Sequence, residues 1–387
     1  MKQSYKIALV LPMLLFSNIL LPQKTEKVFA DAEKQVSVFY DNVKANTKGK
    51  RIFPRCLEND TIKFVSSNDW TSGFWPGMLW FMYEYTGKNE WRSKADEFTL
   101  LMEKEPKNGN SHDVGFKVYN SYGNGYRLTG NEAYKQQVIQ GAATLVTRFN
   151  PKVGCIRSWD FGTWQYPVII DNMMNLELLF SATRLSGDSV YYKIAVTHAN
   201  TTMKNHFRPD FSCFHVMDYD TLTGKPTGGS TLQGYADGSA WARGHAWALY
   251  GFTMCYRETK DTAYLKVAER LASFIINHPG LPGDKIPYWD FDAPVNTKEP
   301  KDASAAAIMA SAFYELQGYS ANKEQYIAFA DRVLENLSAN YRARTGTQKG
   351  FLLLHSTGHK PANSEVDVPL IYADYYFLEA LLRKTRL

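Results

Sequence analysis

The sequence has few cysteines and lacks the short motifs typical of metalloenzymes, nucleotide-binding proteins and serine hydrolases. Its 387 residues include four cysteines, Cys56, Cys155, Cys213 and Cys255, with no CxxC pair. Their spacing fits no zinc site, and we expect buried thiols rather than disulfides, because a chain of this length can bury a large core. HExxH, GxSxG, a phosphate-binding loop and a dinucleotide-binding glycine fingerprint are all missing. We therefore predict no metal site, and the sequence gives no support for serine-nucleophile or redox chemistry.

Neither positive nor negative charge is in large excess in the sequence. The chain has 44 Lys and Arg against 39 Asp and Glu, a formal net charge of +5, and we find no basic stripe. We expect no nucleic-acid partner, because such partners need clustered cations along the phosphate backbone. The composition, 44% hydrophobic and 14% aromatic, excludes a disordered or collagen-like chain. The aromatic residues suit both a core and the faces of sugar rings.

One long apolar segment occurs, and it lies near the start of the chain. Lys2 and Lys6 precede an almost wholly apolar run over 7–21, and Ala30 offers a small residue for cleavage. The run is too short to favour a membrane span. The pattern predicts a signal peptide over 1–30, and hence export, to a periplasm or beyond, of a protein without a membrane span.

A short phrase recurs along the chain and predicts helical hairpins. An apolar or aromatic helix end, a Thr-Gly or Ser-Gly turn, a polar residue and then an aromatic residue occur at 85–91, 128–134 and 185–191, with looser copies at 258–264 and 318–322. Glycine after a helix supplies a left-handed C-terminal cap, and Asn or Asp supplies the next N-cap.

The helices of each predicted pair differ in polarity. First helices such as 239–256, 302–317 and 368–382 are more apolar and aromatic, whereas second helices such as 131–148 and 261–276 are amphipathic. This difference indicates an inner and an outer layer. Counting from about residue 34, we find about six pairs. We predict an all-α fold, a closed α/α toroid forming one catalytic domain over 31–387, in preference to an open solenoid.

Long loops interrupt the predicted pairs at 150–170, 207–238 and 277–301. In a toroid such loops gather on one face, where they would line a pocket. The loop at 207–238 contains an alternating stretch followed by a Gly/Thr turn, which predicts a short β-hairpin.

Two aspartates stand where helices of the inner layer are predicted to begin. Asp113 lies in SHDVGF (111–116), and Asp171 lies between apolar runs in VIIDNMMNL (168–176). Each can be a simple N-cap. Alternatively, both reach the same rim of the toroid, where burial would raise the pKa of Asp171 into the range that a general acid needs. Two carboxylates in unequal environments are typical of acid/base chemistry on sugars.

Arg243 and Trp247 are four residues apart, so they share one face of a predicted inner helix. Such a pair can bind a carboxylate and stack on a ring; the alternative is an arginine satisfied by loop carbonyls. His215 lies in the preceding loop, where a lone histidine is more often structural.

Several phrases together resemble glycoside hydrolase family 88, the unsaturated glucuronyl hydrolases. They are TSGFWPGMLW (71–80), SHDVGF (111–116), IIDNMMNLELL (169–179), RPDFSCFHVMDYD (208–220), QGYADGSAWARGHAWALYG (233–251) and PLIYADYYFLEALLR (369–383). They span most of the chain and stand in the family's order. The resemblance implies an (α/α)6 barrel and neither a metal nor an organic cofactor.

The resemblance also implies a reaction. The family acts on lyase-generated oligosaccharides, here of the heparin, chondroitin or hyaluronan type, that carry a 4,5-unsaturated uronic acid at the non-reducing end. It hydrates the vinyl ether double bond, and the resulting hemiketal collapses to a keto acid and a free sugar. Asp171 then corresponds to the general acid/base that protonates C4 and assists water at C5. Asp113 corresponds to the second catalytic acid.

The remaining family positions are implied to bind substrate. They are His112, Phe116, His215, Gln233, Arg243, Trp247, Trp75 and Trp159, with Trp164 as the alternative to Trp159. One departure is His245, where the family commonly has Gln; it should point away from the face of Arg243.

Substrate choice stays open at this point. Ser356 and Lys360 lie where the family can contact a sulfate on the next sugar, so a sulfated oligosaccharide is one expectation and a solvated turn the other. Unsaturated rhamnogalacturonyl hydrolysis of pectin fragments, or an inactive sugar-binding toroid, are the alternative functions. We expect a monomer or a weak homo-oligomer.

Overall fold

The computed structural model describes residues 17–46, 49–294 and 299–387, which form a mostly helical protein. The α-helices of these residues are α1 Ser17–Asn46, α2 Phe74–Thr86, α3 Asn89–Leu100, α4 Asn124–Thr129, α5 Glu132–Val146, α6 Asn172–Ser186, α7 Ser189–Asn205, α8 Ala242–Thr259, α9 Thr262–Asn277, α10 Ala303–Leu316, α11 Lys323–Asn336 and α12 Ile371–Lys384. A π-helical segment, Gly115–Gly123, runs directly into α4.

The helices form two concentric rings. The inner ring runs through α2, the π-helical segment with α4, α6, α8, α10 and α12, and α12 packs back against α2. Five outer helices, α3, α5, α7, α9 and α11, each follow an inner helix, and α1 packs against α12 as the sixth. The predicted (α/α)6 barrel of six helical hairpins is therefore confirmed.

The recurring turn phrase does what its residues predict. Helices α2, α4 and α6 end at Gly87, Gly130 and Gly187, respectively. Each of these glycines has a positive φ, and its backbone N–H donates to a carbonyl of the preceding turn. Lys260 adopts the same left-handed conformation after α8. After these turns the N-cap side chains of Asn131, Asp188 and Asp261 each accept an N–H two residues on.

Short antiparallel strands lie in the segments between the helices. They are β1 Phe53–Glu58 with β2 Thr61–Val65, β3 Phe149–Asn150 with β4 Cys155–Ile156, and a sheet of β5 Val168–Ile169, β6 Val216–Tyr219 and β7 Pro226–Ser230 in that order. The predicted β-hairpin is the β6–β7 pair. The β1–β2 hairpin and the pairing of β5 with β6, which leads the chain directly into Asp171, were not predicted.

Helix α1 crosses the boundary expected at residue 30. Phe29 is fully buried, and its ring stacks on Tyr85 with centroids 3.7 Å apart and planes 8° from parallel. Val28 is buried beside it. The folded core therefore extends upstream of the predicted domain start, while residues 1–16 lie outside the described part of the chain. Within that part, no helix is both long and apolar enough to cross a membrane.

The four cysteines are all buried and unpaired. Burial raises the pKa of the Cys155 thiol to about 12, so this side chain stays neutral and packs as a small apolar group. The expectation of thiols rather than disulfides is confirmed.

Candidate active site

A cavity of about 350 Å³ opens at the end of the ring where the inner helices α6, α8 and α12 begin. Helix N-termini carry partial positive charge, so this end of the barrel favours anionic groups. Seven of the twelve predicted site residues line the cavity: His112, Asp113, Phe116, Trp159, Asp171, Gln233 and Arg243. The structure therefore brings together residues that are up to about 130 positions apart in the sequence.

Asp171 lies at the N-terminus of α6, where β5 delivers the chain from the sheet. Its side chain does not cap the helix. Burial raises its pKa to about 7, and the charge of Asp113 adds to this, whereas the nearby Arg243 charge and the Trp247 indole act in the opposite direction. Within the described residues its Oδ2 atom has no hydrogen-bond partner. A buried carboxyl with such a pKa can both hold and release a proton near neutral pH.

Asp113 is the second carboxylate of the cavity, just before the π-helical segment. Its Oδ2 accepts a hydrogen bond from Ser111 Oγ at 3.1 Å, and its Oδ1 lies 3.3 Å from His112 Nε2. Burial lowers the pKa of His112, so the imidazole is neutral near pH 7. Asp113 is thus surrounded by donors, whereas Oδ2 of Asp171 is not, and the two acids have the unequal environments predicted from the sequence.

His215 lies immediately behind the cavity lining. Its Nδ1 accepts the backbone N–H groups of Leu232 and Gln233 at 3.1 and 3.2 Å. The proton of the neutral ring is therefore on Nε2, which lies 3.9 Å from Asp171 Oδ2. Burial holds the pKa of His215 well below its usual value. One ring nitrogen has a structural role, and the other faces the acid.

Arg243 lines the cavity but is already held by protein groups. Its Nη1 donates to Asp302 Oδ2 at 2.8 Å and to the Thr357 carbonyl at 2.6 Å, and its Nη2 donates to the Gly358 carbonyl at 2.6 Å. The side chain is 1% exposed. The alternative of an arginine satisfied by loop carbonyls therefore describes these contacts, with a buried ion pair in addition.

Trp247 does not offer its ring face to the cavity, contrary to the sequence-based prediction. It is fully buried and packs against Phe116 and Tyr376, both with ring centroids 5.3 Å away. Its indole lies beside Asp171 instead. Of the two tryptophans predicted as alternatives for a stacking wall, Trp159 lines the cavity, whereas Trp164 does not and donates its Nε1–H to Ser230 Oγ.

Three predicted substrate-binding residues lie elsewhere. Trp75 is fully buried between α1 and α3, against Phe39 and Phe98, because its position on α2 faces the outer layer. Ser356 is fully buried in an extended segment whose backbone pairs with Val368. Lys360 is half-buried and follows the lining residues Gly358 and His359 without joining them.

His245, the departure from the family phrase, has structural contacts. Its Nε2 accepts the Cys213 backbone N–H at 3.0 Å, its Nδ1 faces the Trp241 carbonyl at 2.9 Å, and its ring stacks on Phe274. It points away from the cavity, as predicted.

Several residues that line the cavity were not predicted from the sequence. Arg55, from β1, forms hydrogen bonds to Glu365 with its Nε and Nη2 and to Asp69 with its Nη1. Tyr372, in the first turn of α12, is buried, and within the described residues its hydroxyl has no hydrogen-bond partner. Trp70, which directly precedes the 71–80 phrase, lines the cavity, whereas Trp75 within the phrase does not. The described residues contain no cluster of His, Cys, Asp or Glu suited to a metal ion.

Comparison with known proteins assigns the family. The model of Glycosyl Hydrolase Family 88 matches residues 46–258. An unsaturated glucuronyl hydrolase from Formosa agariphila is 51% identical over 88% of this chain and 86% of its own length.

Comparison with solved structures finds the same class of enzyme. An unsaturated glucuronyl hydrolase specific for heparin has a TM-score of 0.89 and 46% identity, covering 93% of this chain and 97% of its own. A mutant unsaturated glucuronyl hydrolase from Streptococcus agalactiae, complexed with dGlcA-GalNAc6S, has a TM-score of 0.81 and 30% identity, covering 96% and 94%. The resemblance found in the motifs is confirmed, and the chain belongs to glycoside hydrolase family 88, as an enzyme of the unsaturated glucuronyl hydrolase class.

Proposed function

We propose that this enzyme releases the 4,5-unsaturated uronic acid from the non-reducing end of lyase-generated glycosaminoglycan oligosaccharides, with Asp171 as the general acid/base. The observation that carries the proposal is the meeting of Asp113 and Asp171 in one cavity, with the pKa of Asp171 raised to about 7 by burial. A carboxyl of ordinary pKa would be almost fully ionised at neutral pH and could not protonate an alkene carbon.

The chemistry begins with proton transfer from Asp171 to C4 of the unsaturated ring. The double-bond electrons form the new C4–H bond, and the positive charge that develops at C5 is shared with the ring oxygen. Water then adds to C5, losing a proton to the Asp171 carboxylate. The C5–O5 bond of the hemiketal then breaks, which gives a ketone at C5 and leaves a hemiacetal at C1. The hemiacetal collapses to an aldehyde as the C1–O glycosidic bond breaks, and the proton of its hydroxyl goes to the oxygen of the released sugar. Asp113, held by Ser111 and His112, is placed to accept hydrogen bonds from sugar hydroxyls.

The charge environment supports an anionic substrate at this position. The N-termini of α6, α8 and α12 face the cavity, and Arg243 places a cation in its wall. The helix N-termini stabilise a uronate carboxylate next to two acids that would otherwise repel it. Arg243 contributes less, because its charge is shared with Asp302. Uncharged donors, His215 Nε2–H and the Tyr372 hydroxyl, stand without partners among the described residues.

The cavity volume favours short substrates. About 350 Å³ is near the lower end of the roughly 300–1,000 Å³ usual for small-molecule sites. The substrate class follows the relatives, one specific for heparin and one bound to dGlcA-GalNAc6S. A sulfate contact through Ser356 is not part of the proposal, because that side chain is buried.

The test is an assay on unsaturated disaccharides made by lyases from heparin, chondroitin, hyaluronan and pectin. Hydration removes the conjugated double bond, so turnover is followed as loss of its ultraviolet absorbance. Turnover of at least one glycosaminoglycan disaccharide is expected. Turnover of the pectin disaccharide alone would favour the rhamnogalacturonyl alternative, and no turnover of any would contradict the proposal.

Export remains part of the proposal, with one refinement. Cleavage at Ala30 would remove Phe29, whose ring is buried against Tyr85. We therefore place the start of the mature chain upstream of Thr25, which is itself buried. N-terminal sequencing of the protein recovered from the periplasm tests both points: a mature start at residue 31, or retention in the cytoplasm, would contradict them.

A further inference from the structure

Phe161 is an exposed aromatic residue in the wall of the catalytic cavity. Its side chain is 58% exposed, yet it lines the cavity, and its ring stacks on Trp159 with centroids 5.0 Å apart and planes 20° from parallel. A phenylalanine exposed to this extent contributes little to the stability of the core. The Phe161 ring therefore lies over the face of Trp159, and more than half of its own surface is open to solvent at the mouth of the cavity.

The rings lie in a series that begins at the acid. His215 Nε2 is 3.9 Å from Asp171 Oδ2, and the His215 ring is 5.7 Å from Trp159. Exposure rises along the series, from 3% at His215 to 9% at Trp159 and 58% at Phe161. Phe161 is therefore the outermost ring on a path that leads from the reacting end of the substrate to the surface.

The loop that carries Phe161 is fixed by its neighbours. Arg148 binds both carboxylate oxygens of Asp160 at 2.8 and 2.9 Å and also donates to the Arg157 carbonyl. Gly162 turns the chain with φ +86°, and a Cβ there would meet the Trp164 ring at 2.5 Å. The chain on both sides of Phe161 is thus held in place, which lowers the entropy that binding would otherwise lose.

We propose that Phe161 forms an outer subsite that stacks on the apolar face of a third pyranose ring, beyond the uronic acid and the sugar released from it. The ligand chemistry is the C–H face of a hexopyranose, which packs on aromatic rings. The subsite rests on the proposed function, because the third sugar reaches Phe161 only if the uronic acid is bound at Asp171. It gives the enzyme extra affinity for oligosaccharides longer than a disaccharide.

The experiment compares an unsaturated disaccharide with the unsaturated tetrasaccharide of the same polysaccharide. Phe161→Ala should raise KM for the tetrasaccharide about 3- to 10-fold, which corresponds to one aromatic contact. Its kcat, and both constants for the disaccharide, should stay within about twofold. Leu222→Ala is the matched control, since Leu222 is 78% exposed and outside the cavity lining.

The outcomes separate the two proposals. An equal change for both substrates, or no change for the tetrasaccharide, would overturn the subsite. Absence of turnover of either substrate by the unmodified enzyme would overturn the proposed function instead.

Asn175 is fully buried one turn after Asp171 on α6. Its Oδ1 accepts the backbone N–H of Phe116 at 3.0 Å, which fixes the orientation of the amide. The Nδ2 group, a donor only, therefore faces His112 Nδ1 at 3.5 Å.

This contact decides which His112 nitrogen carries the proton. An Nδ1 that faces an N–H donor keeps its lone pair, so the proton of the neutral ring is on Nε2. That nitrogen lies 3.3 Å from Asp113 Oδ1. We infer that Asn175 is a positioning residue, which sets the His112 tautomer that donates a hydrogen bond to Asp113 and so couples the two segments that carry the catalytic acids.

Asn175→Asp separates this role from a merely structural one, because it keeps the acceptor for Phe116 and loses the donor for His112. We expect kcat to fall about 10-fold or more with little change in KM. In ¹⁵N NMR spectra of histidine-labelled protein, His112 should be the Nε2–H tautomer in the unmodified enzyme and lose that signature in the variant. Asn124→Asp, the same change on the inner ring beside a different cavity of the barrel, should leave kcat unchanged. A kcat within twofold of the unmodified enzyme, or an Nδ1–H tautomer in it, would overturn the inference.

Discussion

Replacing the proposed acid should make the protein more stable, and increasingly so as the pH rises. Burial raises the pKa of Asp171 from an ordinary 3.8 to about 7. Below pH 3.8 the carboxyl is protonated in both the folded and the unfolded state. Between the two values only the unfolded state releases the proton, so the free energy of unfolding falls by about 1.4 kcal/mol per pH unit. Above pH 7 the loss is constant.

The magnitude follows from these two pKa values. The carboxyl destabilises the fold by up to about 4 kcal/mol at pH 8 but by only about 1.6 kcal/mol at pH 5. Asp171→Asn keeps the shape and cannot ionise. Its stability advantage over the unmodified enzyme should therefore grow by roughly 2.5 kcal/mol from pH 5 to pH 8, or about 3 °C in Tm for a chain of this length.

Thermal unfolding of both proteins at the two pH values measures this difference. Asp41→Asn, on the exposed side of α1, is the control and should show the same Tm difference at both pH values. An advantage of Asp171→Asn that stays constant with pH, or a loss of stability at pH 8, would refute the idea that burial holds this carboxyl protonated.

Three further predictions follow from single contacts. The kcat/KM should fall tenfold per pH unit above about pH 7, because the acid form of Asp171 is lost; a level pH–rate profile up to pH 9 would contradict this. Phe29→Ala should lower the free energy of unfolding by about 3–5 kcal/mol, whereas Leu101→Ala, at an exposed position, should change it little. Lys117→Met should cost about 3–5 kcal/mol in denaturant unfolding, since Lys117 and Glu105 form a 2.8 Å ion pair buried to 98% or more and the Glu105 carboxylate would lose its cation; a loss below 1 kcal/mol would contradict this cost.

Local rules predicted most of the fold. A glycine that must adopt positive φ, such as Gly130, and an N-cap such as Asn131 mark helix ends within a few residues of sequence. Repetition of that turn then predicted the number of hairpins, and apolar first helices predicted which layer is inside. The two acids could be placed at one rim because both precede inner helices, and helices of one layer run in the same direction.

Orientation and long-range partners could not be predicted in the same way. Trp70 and Trp75 lie in or beside one phrase, but only the direction of α2 decides that Trp75 faces the outer layer. Arg243 is held by Asp302 and the Gly358 carbonyl, which are far away in sequence. In an extended segment neighbouring side chains alternate sides, so Ser356 could not be assigned to the cavity without the structure.

The most direct test of the central claim is the turnover of an unsaturated glycosaminoglycan disaccharide by Asp171→Asn, measured beside the affinity of the variant for the same disaccharide. We predict that kcat falls at least about 1,000-fold while Kd changes by less than about threefold, because the amide keeps the shape of the cavity and cannot transfer a proton. A kcat within tenfold of that of the unmodified enzyme would contradict the assignment of Asp171 as the acid.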